Sequence, residues 1–428
     1  MKKTSKTYYV SSLKGDDKNH GLSEEAPFRS LIMINHLELK PGDSILLECG
    51  SVFEYQFLHI KACGTKEQPI EISSYGDGPY PVIHGNGQGI WYQDYGVPLD
   101  SKTHVRAGYV SSAILLYDAD NILVHNIELT NYPQDTPGES YSDAHKMNRT
   151  GVAVVAKNKG TLHNITLRNL YIHDVQGNVY NKHMNNGGIY VTALLPDDEK
   201  KTGVARYDGV IIEECFLYRV SRWGIAVGYT YKHGQFIEAE LKEELFLQYG
   251  HENIVLRNNY VKEAGGDGIT PMYALRPIVE HNTADSVAQE MNDRIYRYPE
   301  NRLGKVAAAI WPWKCKDAIF RYNEAVDTRL NQDGMAYDAD SGDGTLYEYN
   351  YSRLNEGGCV MFCLEQSINN KFLNNISYDD LGGTISPTEN PDAYIAHNKF
   401  FKRKKVPFVR KNMDGGSYIE EHNEFIEI

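Results

Sequence analysis

Short segments in which alternating apolar residues run into an Asn, followed by a second alternating run, recur through most of this chain. They read LVHN (Asn126), LRNL (Asn169), EECF (Cys215 in the Asn position), LRNN (Asn258), VEHN (Asn282), FRYN (Asn323), YEYN (Asn350), LNNI (Asn375), IAHN (Asn398) and EEHN (Asn423). Where nothing is inserted the steps are 24, 27, 25, 23 and 25 residues; elsewhere they are 41 to 46. A repeat of roughly 20–30 residues marks a solenoid, and period-2 alternation on each side of the Asn marks short strands. The expected fold is all-β: a single right-handed parallel β-helix of ten or more coils. An Asn recurring once per coil stacks on its neighbours and hydrogen-bonds along the pile, as amide ladders do in cross-β stacks.

A second run of strand-like segments accompanies the first: NGGIYV (186–191), RWGIAVG (222–228), GDGITPM (266–272), AAIWPW (308–313), QDGMAYD (332–338), GGCVMF (357–362) and GGTISP (382–387). Aligning Ile310, Met335 and Cys359 stacks Trp313, Asp338 and Phe362 on neighbouring coils, and Asp267, Ala308, Asp333 and Gly357 likewise. Neighbouring coils lie about 4.8 Å apart. Residues 1–60 read as a cap with a short helix in FRSLIMINHL plus the first coil, and 61–428 as one continuous β-helix. The cap hides the solenoid's terminal edge. Long polar insertions at about 92–112, 131–150, 176–186, 194–207, 229–250 and 286–305 account for the longer steps and read as the walls of a cleft. ELKEELFLQ (240–248) reads as helical, and FKRKKVPFVRKN near the end as a charged edge guard.

Composition narrows the function. A net charge of −13 argues against a nucleic-acid partner, since phosphate binding needs a basic face. The start MKKTSKTYYVSS has no apolar h-region, and no run approaches the about 18 apolar residues of a membrane span. The default expectation is therefore a cytoplasmic protein without a membrane partner. The six cysteines follow no C-x-x-C spacing and read as free thiols, and no cofactor or metal is expected. Asn148-Arg-Thr fits a glycosylation triplet that a cytoplasmic protein does not use.

The chemistry concentrates in NQDGMAYDADSGDG (331–344), which holds Asp333, Asp338, Asp340 and Asp343, one coil after Trp311 and Trp313. A solvated or calcium-binding loop is the plain reading of such a run. Adjacent aromatics and long walls favour glycoside cleavage, in which one carboxyl protonates the departing oxygen and another attacks C1 or activates water. Asp338 and Asp340 are two apart and share a face, about 7 Å apart if extended. Asp333 and Asp340 would lie about 23 Å apart on a straight strand, and they meet only if the chain bends at Gly334 or at Ser341-Gly342. Residue spacing slightly favours 338/340. Trp313 is the better platform candidate and Trp311 the alternative. Lys314, Arg222, Asp267, Gln332 and Glu365 complete the candidate substrate contacts, with a salt bridge as the other role for Arg222 and turn formation for Asp267. Glu356 is a reserve acid, and His183 is an ordinary loop histidine.

The opening YYVSSLKGDDKNHGLSEEAPFRSL…LKPGDSILLECGSVF resembles the start of many right-handed β-helix carbohydrate-active enzymes. AAIWPWKC…NQDGMAYDADSGDGTLYEYNYS resembles the catalytic region of glycoside hydrolase family 136, the lacto-N-biosidases. The match lies in two aspartates seven residues apart and a Trp twenty residues upstream. The resemblance implies retaining release of lacto-N-biose from lacto-N-tetraose-type glycans, with Asp333 as acid/base, Asp340 as nucleophile and Asp338 as a supporting acceptor. It also implies an oligosaccharide substrate and a separate helical partner subunit or chaperone. The competing readings are a polysaccharide lyase on a uronate glycan, with the aspartates around calcium and Lys314 or Arg222 as base, and a non-catalytic glycan-binding β-helix.

Overall fold

Three files of inward-facing side chains run the length of the molecule, one per sheet of a parallel β-helix. The computed structural model describes residues 5–102, 104–133, 147–291 and 305–428. The first sheet has 13 strands, from Thr7–Val10 to Ile419–Glu421, and the second has 12, from Val52–Glu54 to Glu424–Glu427. In the first, Ile45, Ile72, Val124, Leu167, Ile212, Leu256, Val279, Phe320, Tyr347, Phe372 and Ile395 pair in unbroken register. All are buried, so a one-residue slip of any strand would turn its core residue outward. The third sheet carries the site. It is split into 7-stranded and 3-stranded parts, joined at 308–313 by isolated bridges, Ile269 to Ile310 to Tyr337 and Met272 to Trp313 to Asp340. Pro312 has no N–H to give a ladder, which fits an interrupted rung there.

The Asn ladder is present, but it begins later than expected and one residue further on. Asn259, Asn282, Asn323, Asn350, Asn375, Asn398 and Asn423 form it. Each side-chain amide but the last donates to the next Oδ1 at 2.9–3.1 Å. Each also donates to a strand carbonyl at 2.8–3.0 Å. Asn126, Asn169 and Asn258 occupy the preceding corner with φ between 51° and 57°, and there Asn169 still donates to Asn126 Oδ1 at 2.7 Å, as a stacked pair should. Asn tolerates that left-handed conformation better than most residues, so a corner Asn and a ladder Asn look alike in sequence. The ladder position in the early coils is filled instead by Ile127, Leu170 and Cys215, all buried.

Two short helices fall where expected, Ile32–Asn35 in the cap and Glu243–Tyr249 in the 229–250 insertion, and a third, Glu199–Thr202, lies in the 194–207 insertion, where none is expected. All six cysteines are free thiols. The insertions at 131–150 and 286–305 lie largely outside the described residues.

Candidate active site

The expected stacking of the third sheet is shifted at the site. Ile310 pairs with Tyr337 instead of Met335, so Trp313 bridges to Asp340, not Asp338. Met335 pairs with Gly358 and Asp338 with Met361, one residue off the expected Cys359 and Phe362. The two-residue shift at Trp313 preserves the face and changes the neighbour. The interrupted rung leaves register to the turn at 331–334, and that turn takes up the extra residues.

On the strand Met335–Asp340, Tyr337 and Ala339 are core residues paired with Val360 and Phe362. Asp338 and Asp340 therefore share the opposite face. The bend that would bring Asp333 to them exists: Gly334 has φ +77°, and a Cβ there would lie 2.9 Å from the Arg329 carbonyl oxygen. Asn331 Oδ1 accepts from the Asp333 N–H at 2.8 Å and closes the turn. Asp333 and Asp340 are half-buried and Asp338 is buried.

Burial and mutual repulsion raise all three carboxyls. Asp333 is pushed up to about 7 by burial first, then by Asp340 and Asp267, against the charges of Lys182 and Arg410. Asp338 is held well above the usual range by burial, then by Asp340 and Asp333. Its Oδ1 has no hydrogen-bond partner among the described residues, so the protonated form is the one that fits. Burial also raises Asp340, but Ser341 Oγ donates to its Oδ1 at 2.7 Å and Lys182 and Lys314 pull it back.

Three insertions converge on Trp313, which is 8% exposed. His183 stacks on it with ring centroids 5.4 Å apart, Tyr229 at 5.7 Å, and Tyr273 packs at 5.6 Å. The 92–112 insertion is tied in by Asp100, whose Oδ1 accepts from Tyr229 at 3.0 Å and lies 3.1 Å from His104 Nδ1 and 3.3 Å from His183 Nε2. His183 is fully buried and, by burial, held neutral with its pKa lowered to about 3. It is part of the site's wall.

The remaining candidates divide by burial. Arg222 and Asp267 are fully buried and pair at 3.1 Å. Asp267 Oδ1 also accepts from Trp311 Nε1 at 3.0 Å and Ala308 N at 3.1 Å. Thus Arg222 takes the salt-bridge role, and Asp267 anchors Trp311 instead of presenting itself to a ligand. Trp311 is buried and stacks on Trp223. Lys314 donates to Gln366. Gln332 and Glu365 are exposed, and Glu356 is engaged by Arg329 at 3.3 Å.

Sequence reading missed Lys182 and Arg410. Lys182 places its ammonium 5.6 Å from the Trp311 ring and 5.5 Å from the Trp313 ring. Arg410 donates to the carbonyls of Asp333 at 2.6 Å, Gly357 at 3.2 Å and Gln332 at 3.2 Å. Their distance along the chain hid both. Among the described residues, two clusters bring ligand-type atoms within 4.8 Å of one another, Asp100/His104/His183 and Asp338/Asp340/Cys363. In the first, Asp100 Oδ1 is already engaged by Tyr229 and His104. Protonation relieves the crowding in the second, where burial and then the charge of Asp340 keep the Cys363 thiol well above its ordinary pKa.

Comparison with known proteins places this geometry. The chain is 64% identical, with a TM-score of 0.96, to two crystal structures of the GH136 lacto-N-biosidase from Eubacterium ramulus, native and selenomethionine, over 99% of its own length and 68% of theirs. The chain belongs to the GH136 lacto-N-biosidase family of glycoside hydrolases. It is also 43% identical, over 97% of its length, to a lacto-N-biosidase of Bifidobacterium longum subsp. longum, and spans 28% of that protein. An alginate lyase from Paenibacillus sp. str. FPU-7 shares the fold at 13% identity and a TM-score of 0.50, over 98% of this chain and 99% of the lyase. A scan of protein-family models found no match.

Proposed function

We propose that this GH136 member is a retaining glycosidase that releases lacto-N-biose from lacto-N-tetraose-type oligosaccharides, with Asp340 as nucleophile and Asp333 as acid/base. The observation that carries the reading is the bend at Gly334, which turns toward Asp340 a carboxyl raised to about 7; Asp340 is itself raised by burial, with a serine and two lysines opposing that rise. In the first step the Asp340 carboxylate bonds to C1, the glycosidic C1–O bond breaks, and Asp333 gives its proton to the departing oxygen. In the second, Asp333 takes a proton from water, the hydroxyl bonds to C1, and the Asp340 ester bond breaks. Such a reaction asks for carboxyl groups about 5–5.5 Å apart. Asp338, protonated, donates a hydrogen bond to a sugar or to Asp340 where an acceptor had been expected. Trp313 shields this chemistry from water and lowers local polarity.

A lyase would have to neutralise a substrate carboxylate, and three crowded aspartyl groups oppose that. The test is incubation with lacto-N-tetraose, following the anomer first released by NMR. Release of β-lacto-N-biose supports the reading, and the α anomer or an unsaturated product sinks it. We extend the proposal to a helical partner or additional domain, since the chain spans only part of its relatives. Co-production with such a segment is expected to raise the yield of active protein.

A further inference from the structure

Among the described residues four cations surround the carboxyl cluster, and three of them are committed. Arg222 is paired with Asp267 at 3.1 Å. Lys314 donates to Gln366, and Arg410 spends its donors on main-chain carbonyls. Lys182 differs. Its side chain is buried, its ammonium lies over the faces of Trp311 and Trp313, and among the described residues it forms no ion pair with any one carboxylate. Its backbone is pinned, because the Lys182 carbonyl accepts from Trp223 Nε1 at 2.6 Å.

We propose that Lys182 is a positioning residue that serves both reacting carboxyls in turn, its charge balancing Asp340 before the glycosyl–enzyme bond forms and Asp333 after it. The inference rests on the retaining reading above. In that cycle one negative charge is always present, but it moves: Asp340 loses it on becoming an ester as Asp333 gains it by giving up its proton. A cation locked to either carboxyl would favour one half of the cycle at the expense of the other. A cation held on indole faces, and locked to neither carboxyl, follows the charge.

The surrounding groups agree. Lys182 pulls down Asp333, Asp338, Asp340 and Asp267 together. Asp333 is otherwise faced by Asp340, Asp267 and Arg410. Asp340 is faced by Lys314, Asp100 and Ser341, with Cys363 on the next coil.

The test compares Lys182→Met and Lys182→Arg with the wild type on lacto-N-tetraose across pH. Removing a shared cation raises both acids, so both limbs of the kcat/KM profile of Lys182→Met are expected to move to higher pH by about one unit. Its kcat is expected to fall at least tenfold. Lys182→Arg should keep both limbs in place and recover most of the rate. Lost rate with unmoved limbs, or movement of one limb only, overturns the proposal. Carbon-13 NMR titration of the aspartyl carboxyls is a second readout that needs no turnover, with Lys182→Gln as a substitute if the Met variant does not fold. A wild type that releases no disaccharide, or releases it with inversion, sinks the retaining reading itself. Unshifted carboxyl titrations in the Lys182 variants sink the shared counter-ion.

Discussion

Asp333 is a stability liability as well as a proposed acid. An unfolded Asp titrates near 3.9, whereas the folded one is raised to about 7 by burial and then by its acidic neighbours. Stability from this group is therefore complete below about 3.9 and is lost as pH rises through about 7. Asp333→Asn mimics the protonated acid at every pH. It should leave the melting temperature nearly unchanged at pH 4 and raise it by a few degrees at pH 8, measured by circular dichroism. The same variant should lose about 10²–10⁴-fold in kcat, as removal of general acid–base help does. Asp340→Asn should abolish turnover, whereas wild-type activity should fall as pH rises past about 7. Of this chemistry, the shared face of Asp338 and Asp340 was legible from a period of two. The part played by Asp333 was not, because Gly334 announces only that a bend is permitted. Lys182 was invisible, since it lies in a loop insertion whose path no local pattern dictates.

Among the coils, the most demanding element is the ladder. Asn350 Oδ1 accepts from the Asn323 N–H at 2.9 Å and from its side-chain amide at 3.1 Å, and its own amide donates to Phe320 at 2.9 Å and to Asn375 at 3.0 Å. Asn350→Ala strips acceptors from two buried donors of the coil before, at about 1–3 kcal/mol for each unsatisfied group. An expected loss of about 2–4 kcal/mol in chemical denaturation follows. Asn126→Ala acts differently. That residue holds a left-handed corner at φ 57°, so the loss should be about 1–2 kcal/mol. Equal losses at the two positions would contradict the division between corner and ladder. The repeat itself was plain in the sequence, because its period and strand alternation are imposed by the core at every turn. Its phase was ambiguous at LVHN, LRNL and LRNN, since Asn suits two adjacent positions for unrelated reasons.

At the scale of the whole molecule, the two ends of the long chain segment from 333 to 410 meet at the site. The tail that reads as a charged edge guard does expose Lys404 and Lys405. Arg410, however, turns inward: its N–H donates to Ile385 at 2.9 Å, which joins the tail to the last strand of the third sheet. Its guanidinium then reaches the carbonyl of Asp333 across 77 residues. A solenoid makes such closure possible because distance along the axis depends on the number of coils, not on residue count. Arg410 acts electrostatically on Asp333, whereas the leading influences on Asp340 are burial, Ser341, Lys182, Lys314 and Asp100. Arg410→Met should therefore raise the alkaline limb of the pH profile while leaving the acidic limb where it is. Lys182→Met should move both. Because the guanidinium also fixes the turn carrying Asp333, kcat should fall about tenfold while KM changes little, the pattern of an interaction felt mainly in the transition state. A profile in which both limbs move together in the Arg410 variant would mean that the two cations act on one shared field, and that the tail does not address the acid separately.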